Sequence, residues 1–388
     1  MRQRLFTPGP TQIPESVVVA MSGPMIHHRG PEFKALFDEV TAGLKYVFQT
    51  QGEVLILTSS GSGGMEAAVV NLLSPGDKVL TIEAGKFGER WGELCRAYGI
   101  EPVTLKVNWG EAPDPGEVRK LLQKHADLAA VFFTHSETST GVASDVREIA
   151  GMVREHTNAI TVIDGITSVG VLPLYMDEWH IDVCVSGSQK GVMVPPGLAF
   201  VALGDRAWPR VEKSKLPRYY FDFLKARKSA GEKSTAWTPA ITLLVGLQDS
   251  LRMMRKLGLE FYWNKYERLA AATREGMKAL GLELFAKVPS NALTSVKVPP
   301  GIDGGALTKT LRDKYGVTVA GGQSQLKGKI FRVAHMGYYD HMDMVALMAA
   351  VEMTLADLGW KFEMGKGVAT VQQKYAGLLA EEAARNAL

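Results

Sequence analysis

The chain has 388 residues, of which 46% are hydrophobic and 22% charged, and a formal net charge of +3, so it is an ordinary globular protein predicted to form one large and one smaller domain. No Lys/Arg block dominates and no apolar run approaches membrane-spanning length, which leaves nucleic acid and membranes without support as partners. The two cysteines, Cys95 and Cys184, belong to no C-x-x-C motif, so we expect no disulfide, no metal site and a reducing, cytoplasmic compartment.

Residues 5–15 are rich in proline and glycine and are predicted to form no regular element, and a helical pattern follows from Glu32 to Val47. From residue 54 to 205, strand-like and helical patterns alternate, which predicts an α/β fold with a mostly parallel, seven-stranded sheet covered on both faces. The sequence leaves open whether the last strand is antiparallel. The seven strands are predicted at Val54–Leu57, Lys78–Ile82, Val103–Val107, Ala129–Thr134, Ile160–Asp164, Ile181–Ser186 and Leu198–Leu203.

A glycine-rich turn, Thr58-Ser59-Ser60-Gly61-Ser62-Gly63-Gly64-Met65-Glu66, joins the first strand to a helix predicted from Met65 to Leu73. Glycines let a backbone approach a phosphate, and a helix N-terminus supplies N–H donors and the positive end of a dipole. The turn is neither the G-x-G-x-x-G dinucleotide fingerprint nor a P-loop, because no Gly-Lys-Ser/Thr follows. Taken alone, it is equally consistent with an ordinary turn before a helix.

Two charged residues stand at the ends of predicted buried strands. Asp164 closes one strand, and Lys190 follows the next strand in Ser186-Gly187-Ser188-Gln189-Lys190. Ligands bind at this carboxyl edge of open α/β sheets. Desolvation lowers the pKa of a lysine, and a deprotonated amine is what a Schiff base with an aldehyde requires. A carboxylate beside it would suit the ring nitrogen of pyridoxal phosphate; read singly, Lys190 is a loop lysine and Asp164 a helix N-cap.

The second half of the chain begins with a basic and aromatic stretch, residues 206–236, which we interpret as a solvated segment running to a subunit interface rather than as a nucleic-acid site. A long helix, Ala240–Leu257, then leads to a smaller α/β domain. Its helices are predicted at 260–280, 304–314 and 340–359, and its strands at Leu282–Lys287, Thr294–Val298, Val317–Ala320 and Lys329–Ala334. The predicted units are an arm at 1–20, a large domain at 21–255, a small domain at 256–360 and an amphipathic helical extension at 361–388.

Arg332 lies on the last predicted strand, on one face with Ile330 and Ala334. An inward-facing arginine needs an anionic partner, because its guanidinium stays charged at any physiological pH. That partner is either the α-carboxylate of an amino acid, which a guanidinium binds through two hydrogen bonds, or an internal Asp or Glu.

Several motifs occur together, in order, between about residues 5 and 360, and their combination resembles the class V aminotransferases, in the branch of alanine–glyoxylate and serine–pyruvate aminotransferases. The resemblance implies a pyridoxal-phosphate-dependent transferase of fold type I. The motifs are Thr7-Pro8-Gly9-Pro10-Thr11, Ser60-Gly61-Ser62-Gly63, His135-Ser136-Glu137-Thr138-Ser139-Thr140-Gly141, Ile163-Asp164, Ser186-Gly187-Ser188-Gln189-Lys190 and Phe331-Arg332-Val333-Ala334-His335-Met336-Gly337.

The resemblance also implies roles for individual residues. Lys190 would form the Schiff base and move the Cα proton, and Asp164 would keep the cofactor ring nitrogen protonated. Phe87 would stack on the ring, where many relatives carry tryptophan, unless it is a core aromatic of its helix. Thr138 would bond the ring oxygen or a carboxylate, on a loop where His135 and Glu137 are further lining candidates. The remaining implied cofactor-binding residues are Gly63, Gly64, Met65, Thr167 and Gln189, and the substrate-binding ones are Arg332, Pro8 and Gly9.

By the same resemblance, the N-terminal arm covers the active site and the loop Ser234-Thr235-Ala236-Trp237-Thr238-Pro239-Ala240 reaches the partner subunit of a homodimer. Thr238, or else Thr235, would place its hydroxyl on the partner's cofactor phosphate. The implied reaction moves an amino group from alanine or serine to glyoxylate or pyruvate, with ping-pong kinetics because both substrates use one site in turn.

Three other functions must be weighed. Aspartate or aminoethylphosphonate could be the donor, but aspartate needs a second cation, for which Lys86, Arg29 and His27 are unmarked candidates. A lyase such as a cysteine desulfurase needs a nucleophilic cysteine on a mobile loop, whereas Cys95 and Cys184 lie in predicted regular elements. A redox subunit with an iron–sulfur or nickel–iron centre needs thiolate clusters that two isolated cysteines do not provide.

Overall fold

The computed structural model describes residues 2–386, so Met1 and residues 387–388 of the predicted arm and extension lie outside the described residues. The chain begins with β1 (Arg4–Leu5), α1 (Glu15–Met21) and α2 (Pro31–Phe48). Strands and helices then alternate: β2 (Glu53–Thr58), α3 (Gly61–Leu72), β3 (Val79–Glu83), α4 (Lys86–Ala97), β4 (Val103–Lys106), α5 (Pro115–Lys124), β5 (Ala130–Thr134), β6 (Ser136–Glu137), β7 (Val142–Ala143), α6 (Val146–His156), β8 (Ile160–Asp164), β9 (Val183–Gly187) and β10 (Leu198–Leu203).

Seven of these strands form one sheet in the order β2-β10-β9-β8-β5-β3-β4, which confirms the predicted seven-stranded, mostly parallel sheet. Only β10 runs antiparallel to its neighbours β2 and β9, which settles the direction that the sequence left open. Strands β8 and β9 are adjacent and parallel, with Asp164 paired to Val185. The end of β8 and the loop that follows β9 therefore lie together at the carboxyl edge of the sheet.

Both faces of the sheet are buried, because successive side chains of each strand point to opposite faces. Phe133 and Ile163 pack into the larger hydrophobic cluster on one face, and Phe132 and Val162 into the cluster on the other face. Helix α3 packs on the second face. Gly64 allows this close approach, since a Cβ atom there would lie 2.8 Å from Val185 Cγ1 and 3.2 Å from Ala199 Cβ.

The later part of the chain includes a three-stranded antiparallel sheet in the order β11-β14-β13, on which the smaller unit is built. Its elements and those leading to it are α7 (Trp208–Lys213), α8 (Phe223–Gly231), α9 (Ile241–Leu257), α10 (Leu259–Ala279), β11 (Leu293–Lys297), α11 (Gly304–Tyr315), β12 (Val317–Thr318), β13 (Ala320–Gly321), β14 (Ile330–Ala334), α12 (His341–Asp357) and α13 (Lys366–Asn386). The exact domain boundaries stay predictions.

Two strand predictions in this part of the chain need correction. The strand expected at Leu282–Lys287 is wrong, since the segment pairs only through a single bridge from Leu284 to Val296. The strand expected at Val317–Ala320 is divided, because β12 pairs with β1 while β13 joins the small sheet. Residues 206–236, for which the sequence analysis predicted no secondary structure, contain two short helices, α7 and α8.

The N-terminal arm is held by the smaller unit and crosses to the large sheet. Strand β1 pairs in parallel with β12, and Phe6 stacks on Tyr339 with 5.2 Å between ring centroids. Farther along, the Thr11 N–H donates to the Gln189 carbonyl at 3.2 Å. Within residues 2–386, no helix is both long enough and apolar enough to span a bilayer.

We predict that Gly64→Ala lowers the melting temperature, although alanine is the better helix former by about 1 kcal/mol. The added methyl group meets Val185 and Ala199, and overpacking of a core costs about 1–3 kcal/mol. Gly151→Ala is the matched control, because Gly151 lies within α6 and a Cβ atom there meets nothing within 4 Å. Thermal unfolding should show opposite shifts for the two variants; equal increases would contradict the packing role of Gly64.

Candidate active site

A cavity of about 90 Å³ opens at the carboxyl edge of the sheet, where β8 and β9 end. It brings together six of the predicted site residues, from segments far apart in the chain. Its lining consists of Ser60, Gly61, Ser62, Phe87, Arg90, Ser136, Thr138, Asp164, Ile166, Thr167, Gln189 and Lys190. A larger depression of about 890 Å³ lies between α10 and α13 and contains none of the predicted site residues.

Lys190 reaches into this cavity from the loop after β9. Its Nζ donates a hydrogen bond to the carbonyl oxygen of Pro8, on the N-terminal arm. Gly9 packs against the same amine, since a Cβ atom at this position would clash with Nζ. Pro8 thus presents an acceptor to Lys190, and having no N–H it is not a donor to substrate. Desolvation lowers the pKa of Lys190 to about 8, against the opposing attraction of Asp164.

Asp164, at the end of β8, is 4% exposed. Its Oδ1 accepts the Ile166 N–H at 2.8 Å, a contact two residues along the chain that is typical of an Asx turn. In the part of the chain that the structure describes, no helix lies between β8 and β9, so the helix N-cap alternative for Asp164 does not apply. No donor from the described residues reaches the other carboxylate oxygen. Burial raises the pKa of Asp164 to about 7, because the charged form lacks full hydrogen bonding in this desolvated position. The carboxylate therefore has an unmet need for a donor or a cation.

The helix N-terminus at the cavity begins earlier than predicted, and this changes which backbone groups face the cavity. Helix α3 starts at Gly61 instead of Met65, so the backbone that faces the cavity belongs to Ser60, Gly61 and Ser62. The N–H groups of the predicted residues Gly63 and Gly64 bond the Ser60 carbonyl oxygen at 2.9 and 3.2 Å, and Met65 is fully buried in the core.

The physical reason is that only the first-turn N–H groups of a helix lack intrahelical partners. These groups fall on Gly61 and Ser62 once the true start of α3 is known. The glycine at position 64 serves the packing of α3 on the sheet and not the approach of a ligand.

Phe87 stands in the first turn of α4, and a buried carboxylate holds this turn in place. Glu137, 1% exposed, accepts the N–H groups of Phe87 at 3.1 Å and Gly88 at 2.8 Å. Burial raises the pKa of Glu137, while these hydrogen bonds and that of Ser139 oppose the rise. Glu137 comes from the short hairpin β6–β7, so the sequence analysis, which listed it as a lining candidate, missed its capping role.

Arg90 is a cavity residue that the sequence analysis missed. It follows Phe87 by three residues in α4, a spacing that places both side chains on one face of the helix. Its Nη1 donates to Ser62 Oγ at 3.0 Å, and its Cζ lies 4.9 Å from the centroid of the Phe87 ring. In the sequence, the three-residue spacing between Phe87 and Arg90 was the feature that could have identified Arg90 as a cavity residue.

Arg332, on the central strand β14 of the small sheet, is 5% exposed. Its Nη1 donates to the Thr138 carbonyl at 2.7 Å, and its Nη2 to the Gly321 carbonyl at 2.7 Å. No Asp or Glu among the described residues forms an ion pair with it, so the alternative of an internal salt bridge finds no partner there. Burial lowers the pKa of Arg332 to about 10. The two carbonyls fix the guanidinium and leave its charge uncompensated.

The structure does not bring Thr235 or Thr238 to the cavity of their own subunit. Thr235 Oγ1 donates to the Trp237 carbonyl at 2.6 Å, and Thr238 is exposed. By contrast, Thr167 lines the cavity and donates to the Ser136 carbonyl at 2.8 Å. Lys86, a candidate second cation, pairs with Glu89 and Glu93. Among residues 2–386, no three His, Cys, Asp or Glu side chains cluster as a metal site would require.

The residues present fit pyridoxal phosphate. Asp164 offers a free carboxylate oxygen to a ring N–H, and Lys190 offers an amine of lowered pKa to an aldehyde. The start of α3 offers backbone and hydroxyl donors to a phosphate. Phe87 and Ile166 supply apolar lining for a planar ring. The buried Oε1 of Gln189, also a lining residue, lacks a hydrogen-bond partner among the described residues.

Comparison with known proteins shows relationships over almost the whole chain. The family model described as Aminotransferase class-V matches residues 4–365. The soluble hydrogenase, small subunit, of Synechococcus sp. (strain PCC 6716) is 42% identical over 374 residues, covering 95% of this chain and 97% of that protein. The serine–glyoxylate aminotransferase of Hyphomicrobium methylovorum is 37% identical (96% and 94% covered), and the L-aspartate–glyoxylate aminotransferase of Paracoccus denitrificans 35% identical (96% and 96%).

Solved structures give the same picture of the fold. Ureidoglycine–glyoxylate aminotransferase from Bacillus subtilis superposes with a TM-score of 0.92 at 28% identity, over 97% of this chain and 98% of that chain. Alanine–glyoxylate aminotransferase from Nostoc sp. superposes with a TM-score of 0.88 at 31% identity, over 92% of this chain and 96% of that chain.

In cofactor-free protein, Lys190 should react with an amine-directed label at lower pH than an ordinary lysine, with a midpoint near 8, because burial disfavours its charged form and only the neutral amine reacts. Asp164→Asn should move this midpoint to still lower pH, since the aspartate charge favours the ammonium. Asp127→Asn, at a surface pair with Lys78, is the control. Mass spectrometry of the labelled peptide gives the midpoint; an upward shift in Asp164→Asn would contradict the assigned coupling.

Proposed function

The chain belongs to the class V aminotransferases and is a pyridoxal-phosphate-dependent aminotransferase, and we propose that it transfers an amino group from alanine or serine to glyoxylate or pyruvate. The observation that carries the proposal is that Asp164 and Lys190 line the same cavity, at the ends of adjacent parallel strands. Arg332 stands beside this cavity with a free positive charge.

Pyridoxal phosphate, when bound, supplies an aldehyde that captures amino groups and a ring that withdraws electrons from the substrate Cα. The chain's own residues would hold it: Asp164 at the ring nitrogen, Phe87 and Ile166 at the ring, and the first turn of α3 at the phosphate. Lys190 Nζ takes the proton that leaves the substrate Cα. An amine with a pKa near 8 suits this role, because it is partly deprotonated at neutral pH and still basic enough to accept the proton.

Arg332 positions the substrate for this proton transfer. Carbonyl oxygens of Thr138 and Gly321 fix its guanidinium, which leaves the remaining N–H groups for a substrate carboxylate. Every amino acid and every 2-oxo acid carries such a carboxylate. Because one arginine serves both, donor and acceptor occupy the site in turn, and we expect ping-pong kinetics.

The size and charge of the substrate side chain decide between donors. Lys86, which could bind a second carboxylate, is already paired with two glutamates, and this favours a small, uncharged donor. Aspartate is the second candidate, because Arg90 lines the cavity and the Paracoccus relative is named for aspartate. Aminoethylphosphonate remains the third.

Cysteine-based functions are disfavoured by the two thiols themselves. Burial raises the pKa of Cys95 to about 12 and also raises that of Cys184, so neither supplies the thiolate that a desulfurase needs. The hydrogenase name of the cyanobacterial relative is not carried to this chain, because an iron–sulfur cluster takes about four cysteine ligands and the sequence has two. Free, buried thiols suit the cytoplasmic location that we propose.

We further propose a homodimer in which Thr238 reaches the partner's cofactor phosphate. Ser60 and Ser62 are exposed, so the phosphate end of the cavity faces the outside of the subunit. Thr238 is likewise exposed and lies outside its own cavity. Beside it, Tyr219 and Trp237 form a stacked pair, with Tyr219 71% exposed, which is an apolar surface suited to a subunit contact.

Addition of alanine or serine to the cofactor-loaded protein, without an acceptor, should remove the visible absorbance of the lysine-bound cofactor and produce the near-ultraviolet absorbance of its aminated form. Aspartate should do so far more slowly, because Lys86, which could bind its second carboxylate, is engaged by two glutamates. Lys190→Ala should lack the visible band and the conversion, whereas Lys78→Ala, at a surface lysine, should keep both. If only aspartate produced this change, aspartate would be the donor and the proposal of alanine or serine would be wrong.

Mixed dimers test the partner contact. One subunit carries Lys190→Ala and the other Thr238→Ala, so a contact across the interface leaves one cavity with both native residues. We then expect about half of the wild-type activity in the mixed dimer, well above that of either pure variant. Activity no higher than the mean of the two pure variants would show that Thr238 acts within its own subunit or not at all.

A further inference from the structure

Arg90 lines the cavity and, within residues 2–386, has no acidic residue as a partner. Helix α4 has three basic residues, and two of them pair with acids: Lys86 with Glu89 and Glu93, and Arg96 with Glu101. Arg90 has no acidic partner among the described residues. Its side-chain hydrogen bond goes to Ser62 Oγ, at 3.0 Å.

This hydrogen bond places the guanidinium at the first turn of α3. Ser62 accepts from Arg90, which leaves the Ser62 hydroxyl hydrogen available to a further acceptor. The N–H groups of Gly61 and Ser62 have no intrahelical partners, as in the first turn of any helix. Arg90, the Ser62 hydroxyl and these N–H groups are all donors beside one cavity, so their common ligand is an anion.

The position of Arg90 is defined from a second side by Phe87. The guanidinium carbon lies 4.9 Å from the centroid of the Phe87 ring, a distance at which a cation and a ring attract. The backbone of Phe87 is in turn fixed by its own N–H group, which donates to the Glu137 carboxylate. The charge is therefore presented by a supported side chain, in contrast to a surface arginine that samples many rotamers.

A phosphate monoester carries a charge of about −1.5 to −2 at neutral pH. Other donors among the residues that line the cavity are neutral: backbone N–H groups, serine hydroxyls and the Gln189 amide. Lys190 is used for the aldehyde, and Arg332 is held on the other side by the Thr138 carbonyl. Of the residues that line the cavity, Arg90 is the one cation not assigned to the aldehyde, although its charge also attracts Asp164 and opposes the rise that burial causes in the pKa of Asp164.

We propose that Arg90 binds the cofactor phosphate, directly and through Ser62, and is the cation of that subsite. The inference rests on the pyridoxal phosphate site of the proposed function and is independent of the donor amino acid. Arg90 is a binding and positioning residue, and it takes no part in moving the Cα proton. A competing role, as the second cation for a dicarboxylate substrate, makes different predictions.

The test compares two ligands that differ only in the phosphate. Cofactor-free protein is titrated with pyridoxal phosphate and with pyridoxal, and dissociation constants are measured by absorbance and protein fluorescence. Arg90→Gln should weaken pyridoxal phosphate about 10- to 100-fold, the loss expected for a hydrogen bond to a charged group, and leave pyridoxal within about twofold. Inorganic phosphate should compete with pyridoxal phosphate in the wild type and much less in the variant.

Two further variants sharpen the comparison. Arg90→Lys should recover part of the affinity for pyridoxal phosphate, because lysine restores the charge without the planar fork of donors. Arg96→Gln is the matched control, since it removes the same charge from the same helix at a residue paired with Glu101 outside the cavity. It should leave both dissociation constants unchanged.

Three outcomes would overturn the inference. An equal loss for pyridoxal phosphate and pyridoxal in Arg90→Gln would mean that Arg90 only supports the fold around Phe87. An unchanged affinity for pyridoxal phosphate, with a raised KM for aspartate but not for serine, would assign Arg90 to the substrate. Failure of the wild type to bind either ligand would overturn the cofactor site itself, and the proposed function with it.

Discussion

The site depends on the desolvation of two side chains of opposite charge. Asp164 and Lys190 lie at neighbouring strand ends, and burial raises the pKa of the acid to about 7 and lowers that of the amine to about 8. The pKa of each group therefore lies close to neutral pH, so each can gain or lose a proton there. A cofactor that brings a ring nitrogen to one and an aldehyde to the other satisfies both groups at once, which is why the fit to pyridoxal phosphate follows from the electrostatics of the strand ends.

Around this pair, the site is assembled from distant parts of the chain. The N-terminal arm is tied to the smaller unit through β1 and Phe6, and to the large sheet through Thr11, so that Pro8 and Gly9 lie against the Lys190 amine. Strand β14 brings Arg332 to the Thr138 carbonyl across the boundary between the two sheets. Neither contact is local, and both require the large and small units to be packed as they are.

The first turns of α3 and α4 form the other wall, and each is held by a residue from elsewhere in the chain. Glu137 caps α4 beneath Phe87, and Arg90 links α4 to Ser62 at the start of α3. The kinship with proteins named for different amino donors is consistent with this design. In the proposed function, the fixed elements bind groups that every amino acid substrate or the cofactor carries, whereas few of the described residues are assigned to a particular substrate side chain.

The sequence by itself determined the alternation of strands and helices, the seven-stranded sheet, and the placement of Asp164, Lys190 and Arg332, because strand ends and apolar periodicity are local properties. It misplaced the start of α3 by one turn, and with it the donors at Gly61 and Ser62, and it missed Arg90 and the capping role of Glu137. It also left the direction of β10 open. Only the tertiary structure decided these features, because each depends on which distant segment packs against it: the sheet beneath Gly64, Ser62 beside Arg90, and β2 and β9 on either side of β10.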